Sequence, residues 1–145
     1  MDVKLRLLKH KSPAYEKMIE LRLNVLLEPI GVPATYIERE QEKDDLLIGA
    51  FNEDILVGCC VLTPGNKDVI QLRQMAVLTA LHGKGVGAAI VEFAEDIAAS
   101  NGFKILMMHA RSVVVDFYRK CGYEIVGDEF EEVGIKHYKM QKRLV

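Results

Sequence analysis

The chain has 145 residues, 50% of them hydrophobic and 28% charged, with a formal net charge of −2. That length suits a single domain spanning 1–145, large enough to bury about two thirds of its unfolded surface. No basic stripe, membrane-length apolar run or signal peptide is present, which argues against nucleic acid and membrane as partners and implies a cytoplasmic protein.

Residues 3–8 alternate weakly and read as a first strand. Ser12-Pro13 offers an N-cap and a first-turn proline. The helix that follows is expected to bury Tyr15, Ile19, Leu23, Leu26 and Leu27 before Pro29 ends it. Thr35-x-x-Glu38 matches a capping box for a short second helix. Residues 40–45 are too charged for a core and read as a solvated face, or as a lure for a cationic substrate.

From Leu46 the pattern turns to sheet. Residues 46–51 and 55–63 are apolar runs joined by Asn52-Glu53-Asp54, a hairpin connection. Residues 69–77 form a third strand, with polar Gln71, Arg73 and Gln74 along it. Adjacent Cys59 and Cys60 point to opposite faces of their strand and serve as small apolar residues. With Cys121 they make an odd count without metal-ligand spacing, so neither a disulfide framework nor a metal site is expected.

The stretch from Met75 to Ala88 then runs from a strand end through a glycine-spaced turn into a helix. Val86, Ala89, Ile90, Phe93, Ala94 and Ile97 mark one buried helical face, and Asn101-Gly102 is the stop. Gly83, Gly85 and Gly87 clear the loop of side chains, so a ligand can reach its N–H groups. Those amides and the helix dipole suit an anion such as phosphate, and Lys84 adds positive charge. A Walker loop is disfavoured because no hydroxyl follows Lys84. A dinucleotide turn is disfavoured because Gly83, Gly85 and Ala88 give only a loose fingerprint and the ribose-binding acid is missing.

Residues 103–108 form the next strand, and a helix is expected from about Ser112 to Cys121, burying Val114, Phe117 and Cys121. Residues 123–126 and 135–140 read as closing strands, linked by the acidic residues 128–132. The whole is a mixed α/β arrangement, a central, mostly antiparallel mixed sheet flanked by helices. A homodimer formed through the closing strands is compatible with it.

The segment His82-Gly83-Lys84-Gly85-Val86-Gly87-Ala88 resembles the pyrophosphate loop of the GNAT N-acetyltransferases, written Q/R-x-x-G-x-G/A, with His82 in place of Gln or Arg. Phe117-Tyr118-Arg119-Lys120-Cys121-Gly122-Tyr123 looks like that family's F-Y-x-K-x-G-F segment. The element order resembles the same fold along nearly the whole chain. Leu21 to Val25 with Glu28 and Gly31-Val32-Pro33 is similar to its bacterial ElaA-like branch.

The resemblance implies acetyl transfer from acetyl-CoA to a primary amine of a small molecule or peptide, by direct attack in a ternary complex. It places the coenzyme A pyrophosphate on residues 82–88 and the pantetheine arm along Met75, Ala76 and Val77. Tyr118 becomes the general acid for the departing thiolate and a cofactor contact. Arg111 stands where the family usually has Asn on the pantetheine arm. Many relatives carry a Glu as general base where this chain has Arg73, and an arginine accepts no proton. That task falls to His137, whose intrinsic pKa suits it, to His109, to Glu131 or Glu132, or to a water chain. Glu131 and Glu132 are also candidate substrate contacts. Arg22 either binds a substrate carboxylate or pairs with Glu28 or another acid. A non-catalytic acyl-CoA binding or sensing module is the alternative that Arg73 keeps open.

Overall fold

The computed structural model describes residues 2–144. Strand β1 (Lys4–Leu8) leads into helix α1 (Pro13–Arg22), where the Ser12 hydroxyl accepts the Tyr15 N–H at 3.2 Å. The predicted cap therefore forms. The buried face of α1 is Tyr15, Met18, Ile19, Leu21 and Arg22, wider than the predicted stripe. After Arg22 the helix loosens into one π-helical turn, Leu23–Leu27. The extra residue in that turn shifts the stripe, so Leu27 goes inward while Leu23 and Leu26 are only half-buried.

The second helix expected from the capping box does not form. Ala34–Tyr36 and Gln41–Asp44 are single 3-10 turns. Ile37, the buried apolar side chain of this segment, takes extended backbone instead, so no helical stripe exists to be covered. The charged run is not all solvated either, because Glu42 is buried at 2% exposure.

Strands β2 (Leu46–Asn52), β3 (Ile55–Pro64) and β4 (Val69–Val77) form the predicted meander. Helix α2 (Val86–Ser100), β5 (Ile105–Arg111) and helix α3 (Val115–Lys120) follow. The chain ends in β6 (Glu124–Ile125), β7 (Phe130–Glu132) and β8 (Ile135–Arg143). The sheet order is β1-β2-β3-β4-β5-β8-β6, with β7 also on β8. Among the described residues only β4 and β5 run parallel, so the sheet is mixed and mostly antiparallel, as expected.

Two corrections concern the C-terminal third. Ser112–Val114 is a 3-10 turn, and its tighter winding advances the phase of α3 by one residue. Val115 and Tyr118 face inward instead of Val114 and Phe117. The acidic link contains β7, which pairs with β8 through a two-residue turn at Val133 and Gly134. Both turn residues have positive φ, the twist that suits a tight hairpin. With β5 on one edge and β6 and β7 on the other, β8 has no long free edge.

The sheet separates two cores. Tyr15, Met18, Leu47, Cys59, Val61 and Ala76 pack beneath α1. Ile48, Cys60, Leu62, Ile90, Met108 and Met140 pack on the face covered by α2 and α3. Cys59 and Cys60 thus fall on opposite sides, as strand alternation requires. Gly58 lets α2 approach, since a Cβ there would lie 2.7 Å from Ile90 Cδ1.

Candidate active site

The site begins where the sheet comes apart. β4 and β5 pair only through Val69–Ile105, Ile70–Leu106 and Gln71–Met107. Beyond Gln71 the two strands diverge, although β4 continues to Val77 and β5 to Arg111. A bulge sits in the same stretch, because Val61 pairs with Arg73 while Cys59 pairs with Ala76. Gln74 takes the surplus in the left-handed region at φ 55°, a conformation unfavourable for a side chain with a Cβ. A cavity of about 460 Å³ fills the split.

At the end of β4 the glycine loop folds as the spacing suggests. Gly83 and Gly85 have φ of 79° and 85°, with open space where a Cβ would stand. The N–H groups of Gly83, Gly85, Val86, Gly87 and Ala88 have no acceptor among the described residues. They converge with the positive end of the 15-residue helix α2. His82 is turned back from them, its Nε2–H donating to the Val77 carbonyl at 2.9 Å. That bond ties the loop to the strand end. Gly87 admits the Phe117 ring, which would stand 3.1 Å from a Cβ.

Of the residues singled out from sequence, Arg73, Met75, His109, Arg111, Tyr118, Glu132 and His137 line the cavity. Tyr118 is 5% exposed as a residue, and its hydroxyl, unbonded to protein among the described residues, opens to the cavity. Burial holds its pKa above the ordinary phenol value, so the group stays protonated at neutral pH. The neighbouring thiols of Cys60 and Cys121 act in the same direction.

His109, Arg111 and His137 project to the face that α1 covers, since Met108, Ala110 and Met140 between them fill the opposite core. His137 is 4% exposed, and its Nδ1–H donates to the Ile135 carbonyl at 2.8 Å. Its Nε2 therefore faces Glu132 Oε2, 3.8 Å away, too long for a direct hydrogen bond. The other oxygen of Glu132 lies 3.0 Å from His109 Nδ1. Phe130, which the sequence reading left unassigned, stacks on His137 at 5.8 Å and meets His109 edge-on at 5.1 Å. Arg111 reaches across to the π-helical turn after α1, donating to the Leu26 carbonyl at 3.2 Å.

Two of the singled-out side chains lie elsewhere. Glu131 is exposed and pairs across β8 with Lys136. Arg22 is 0% exposed and forms a two-pronged bond with Glu42, at 2.9 and 2.6 Å. Its guanidinium is not open to a substrate carboxylate, which corrects that half of the expectation. The other half holds, with Glu42 as the acid. The Tyr15 hydroxyl donates to Glu42 at 2.7 Å, and Arg22 Nε donates to Gln74 at 3.3 Å. The buried pair therefore reaches the bulge in β4. Its sequence signal was a charge placed in the stripe of Tyr15, Met18 and Ile19, a position that calls for a buried partner.

Several solved structures share this architecture. Escherichia coli ElaA superposes with a TM-score of 0.84 at 20% identity, covering 97% of this chain and 99% of that one. An aminoglycoside 6′-N-acetyltransferase complexed with coenzyme A also gives 0.84, at 16% identity over 98% and 97% of the two chains. The fold is that of the acyltransferases. Residues 12–144 match the model of the acetyltransferase (GNAT) domain, so the chain belongs to the GNAT family and is an acetyl-CoA-dependent N-acetyltransferase. Among curated relatives, the uncharacterised N-acetyltransferase YjcF of Bacillus subtilis is 34% identical over 125 residues, 84% of this chain and 87% of that protein.

Proposed function

We propose that the chain transfers the acetyl group of acetyl-CoA to a primary amine by direct attack in a ternary complex. The observation that carries this reading is the continuity of two unsatisfied surfaces. The free amides at the start of α2 lie directly beyond the strand end whose edge lost its partner. The pyrophosphate would bind residues 82–88, with Lys84 beside it and His82 bracing the loop. The pantetheine arm would run along Met75, Ala76 and Val77, completing hydrogen bonds that the diverging sheet leaves unmade.

Two proton transfers and one exchange of bonds remain. The amine gives up a proton to His137 Nε2, the nitrogen left without a hydrogen, and Glu132 stabilises the resulting imidazolium. The amine nitrogen bonds to the thioester carbonyl carbon, and the C–S bond then breaks. Tyr118 donates its proton to the departing thiolate. Arg73 cannot take the base role of the family's usual Glu.

Thermal stability with acetyl-CoA, coenzyme A, NAD or ATP tests the donor site. Acetyl-CoA at about 100 times its dissociation constant should stabilise the fold by ~2.7 kcal/mol, several degrees for a chain of this size. Gly85→Glu places a carboxylate in the anion cradle at a position requiring positive φ, and should abolish the shift. A response to NAD or ATP instead would overturn the assignment. Turnover on any amine separates the enzyme from a binding-only module.

A further inference from the structure

Two arginines of the cavity wall have no carboxylate partner. Arg73 on β4 and Arg111 on β5 are both half-buried, on opposite banks of the split. Neither forms an ion pair among the described residues. The side-chain bond of Arg73 is a long 3.4 Å contact to the Thr63 hydroxyl, and that of Arg111 goes to the Leu26 carbonyl. Glu42 and Asp45 feel the charge of Arg73, but Glu42 is already held by Arg22 and Tyr15. Asp45 forms no ion pair with Arg73 within 4.0 Å and shares only the Thr63 hydroxyl with it. Partly desolvated guanidinium groups without an anion are unfavourable, and they mark a place where an anion binds.

The donor does not supply that anion. On the reading above, the phosphates lie at residues 82–88, and the part of acetyl-CoA that enters the split is uncharged. The anion must then belong to the acceptor. Glu132 is the carboxylate of the cavity wall, so two guanidinium groups face one carboxylate. A polyamine or aminoglycoside would bring several positive charges to a wall already net positive, which costs Coulomb energy in a low-dielectric cleft. A zwitterion brings one charge of each sign. The rest of the acceptor side is apolar, built from Leu26, Ile30, Val32, Tyr36 and Val133.

We propose that the acceptor is a free amino acid with an apolar side chain, its carboxylate bound by Arg111 with Arg73 opposite, and its amine presented to Glu132 and His137. This rests on the donor site assigned above. The apolar side chain lies against the π-helical turn of α1 and Val133. The reaction is N-acetylation, releasing coenzyme A as the thiol.

The test is coenzyme A release from acetyl-CoA with leucine, methionine and phenylalanine, beside their carboxamides and spermidine. The free acids should be used at least ~10-fold more efficiently than the carboxamides, because a buried charged group left unpaired carries a large penalty. Arg111→Gln should raise KM for the acids by roughly 10- to 100-fold, with kcat nearly unchanged and KM for the carboxamides unmoved. Arg73→Gln should do the same to a smaller degree. The wild-type comparison needs neither variant to fold. Preference for carboxamides or spermidine would overturn the proposal, as would no use of any free acid by protein that acetyl-CoA stabilises. If acetyl-CoA gives no stabilisation, the donor-site reading itself fails.

Discussion

Glu42→Gln is expected to lower the unfolding free energy by about 3–5 kcal/mol, a drop of roughly 10 °C or more in Tm. Arg22 is fully buried, and the substitution removes the charge that both its terminal NH groups contact. An uncompensated guanidinium in that position costs far more than the lost hydrogen bonds alone. Arg22→Met with Glu42→Met should recover much of the loss, since replacing a buried pair by apolar groups is often neutral. Thermal unfolding of the single and double variants is the check, and equal stability of Glu42→Gln and wild type would sink the argument. Acid should act in the same direction. Burial pushes the Glu42 carboxyl up, but the hydrogen bonds and charge of Arg22, with the Tyr15 hydroxyl, outweigh it and hold the group below its usual range. A depressed folded pKa stabilises above the unfolded value near ~4.3, and that contribution disappears as pH falls through the folded pKa. Stability of the wild type should therefore fall below about pH 4 with a slope that Glu42→Gln lacks.

Tyr118→Phe is the second large effect, on rate and not on stability. The hydroxyl opens to the cavity and has no protein partner to lose among the described residues, so Tm should stay within about 1 °C. With the general acid gone, kcat should fall roughly 100-fold, the lower end of what a positioned proton donor contributes. The KM for acetyl-CoA should change little, because the ring remains to fill the same space. A rate within about twofold of wild type would show that the thiolate leaves unaided and that Tyr118 only packs.

How far the sequence reveals this molecule depends on the range over which each feature is decided. α2, its glycine entry and the β2–β4 meander follow local periodicity and turn chemistry, and all formed within about two residues of expectation. The phase of α3 slipped because a 3-10 turn cannot be told from a first α-turn in a run such as Ser112-Val113-Val114. The second helix failed because Thr35 and Glu38 carry a capping signal without a stripe behind it. Glu42 was hidden for a different reason. Its partner Arg22 lies 20 residues earlier, and a pairing of charges across that distance leaves no periodic trace. The split in the sheet has no local signature either, apart from the polar residues Gln71, Arg73 and Gln74 in β4. The place of Tyr118 on the cavity wall was legible from its motif. The bracketing of Glu132 by His109 and His137 depends on a hairpin, β7 with β8, which an acidic sequence concealed.

The three-pair seam between β4 and β5 has a mechanical consequence. On either side of it stands a well-bonded leaf, β1 to β4 under α1 and α2, and β5 to β8 with α3. The spine between them is about 10 Å long by strand rise, and α2 ties across it through Glu95, which accepts from Tyr123 and Lys142. Beyond the spine the angle between the leaves is set by core packing and not by strand pairing. That angle sets the reach from Arg73 on one leaf to Arg111 on the other, so the width of the acceptor it admits is a property of the spine as much as of the walls.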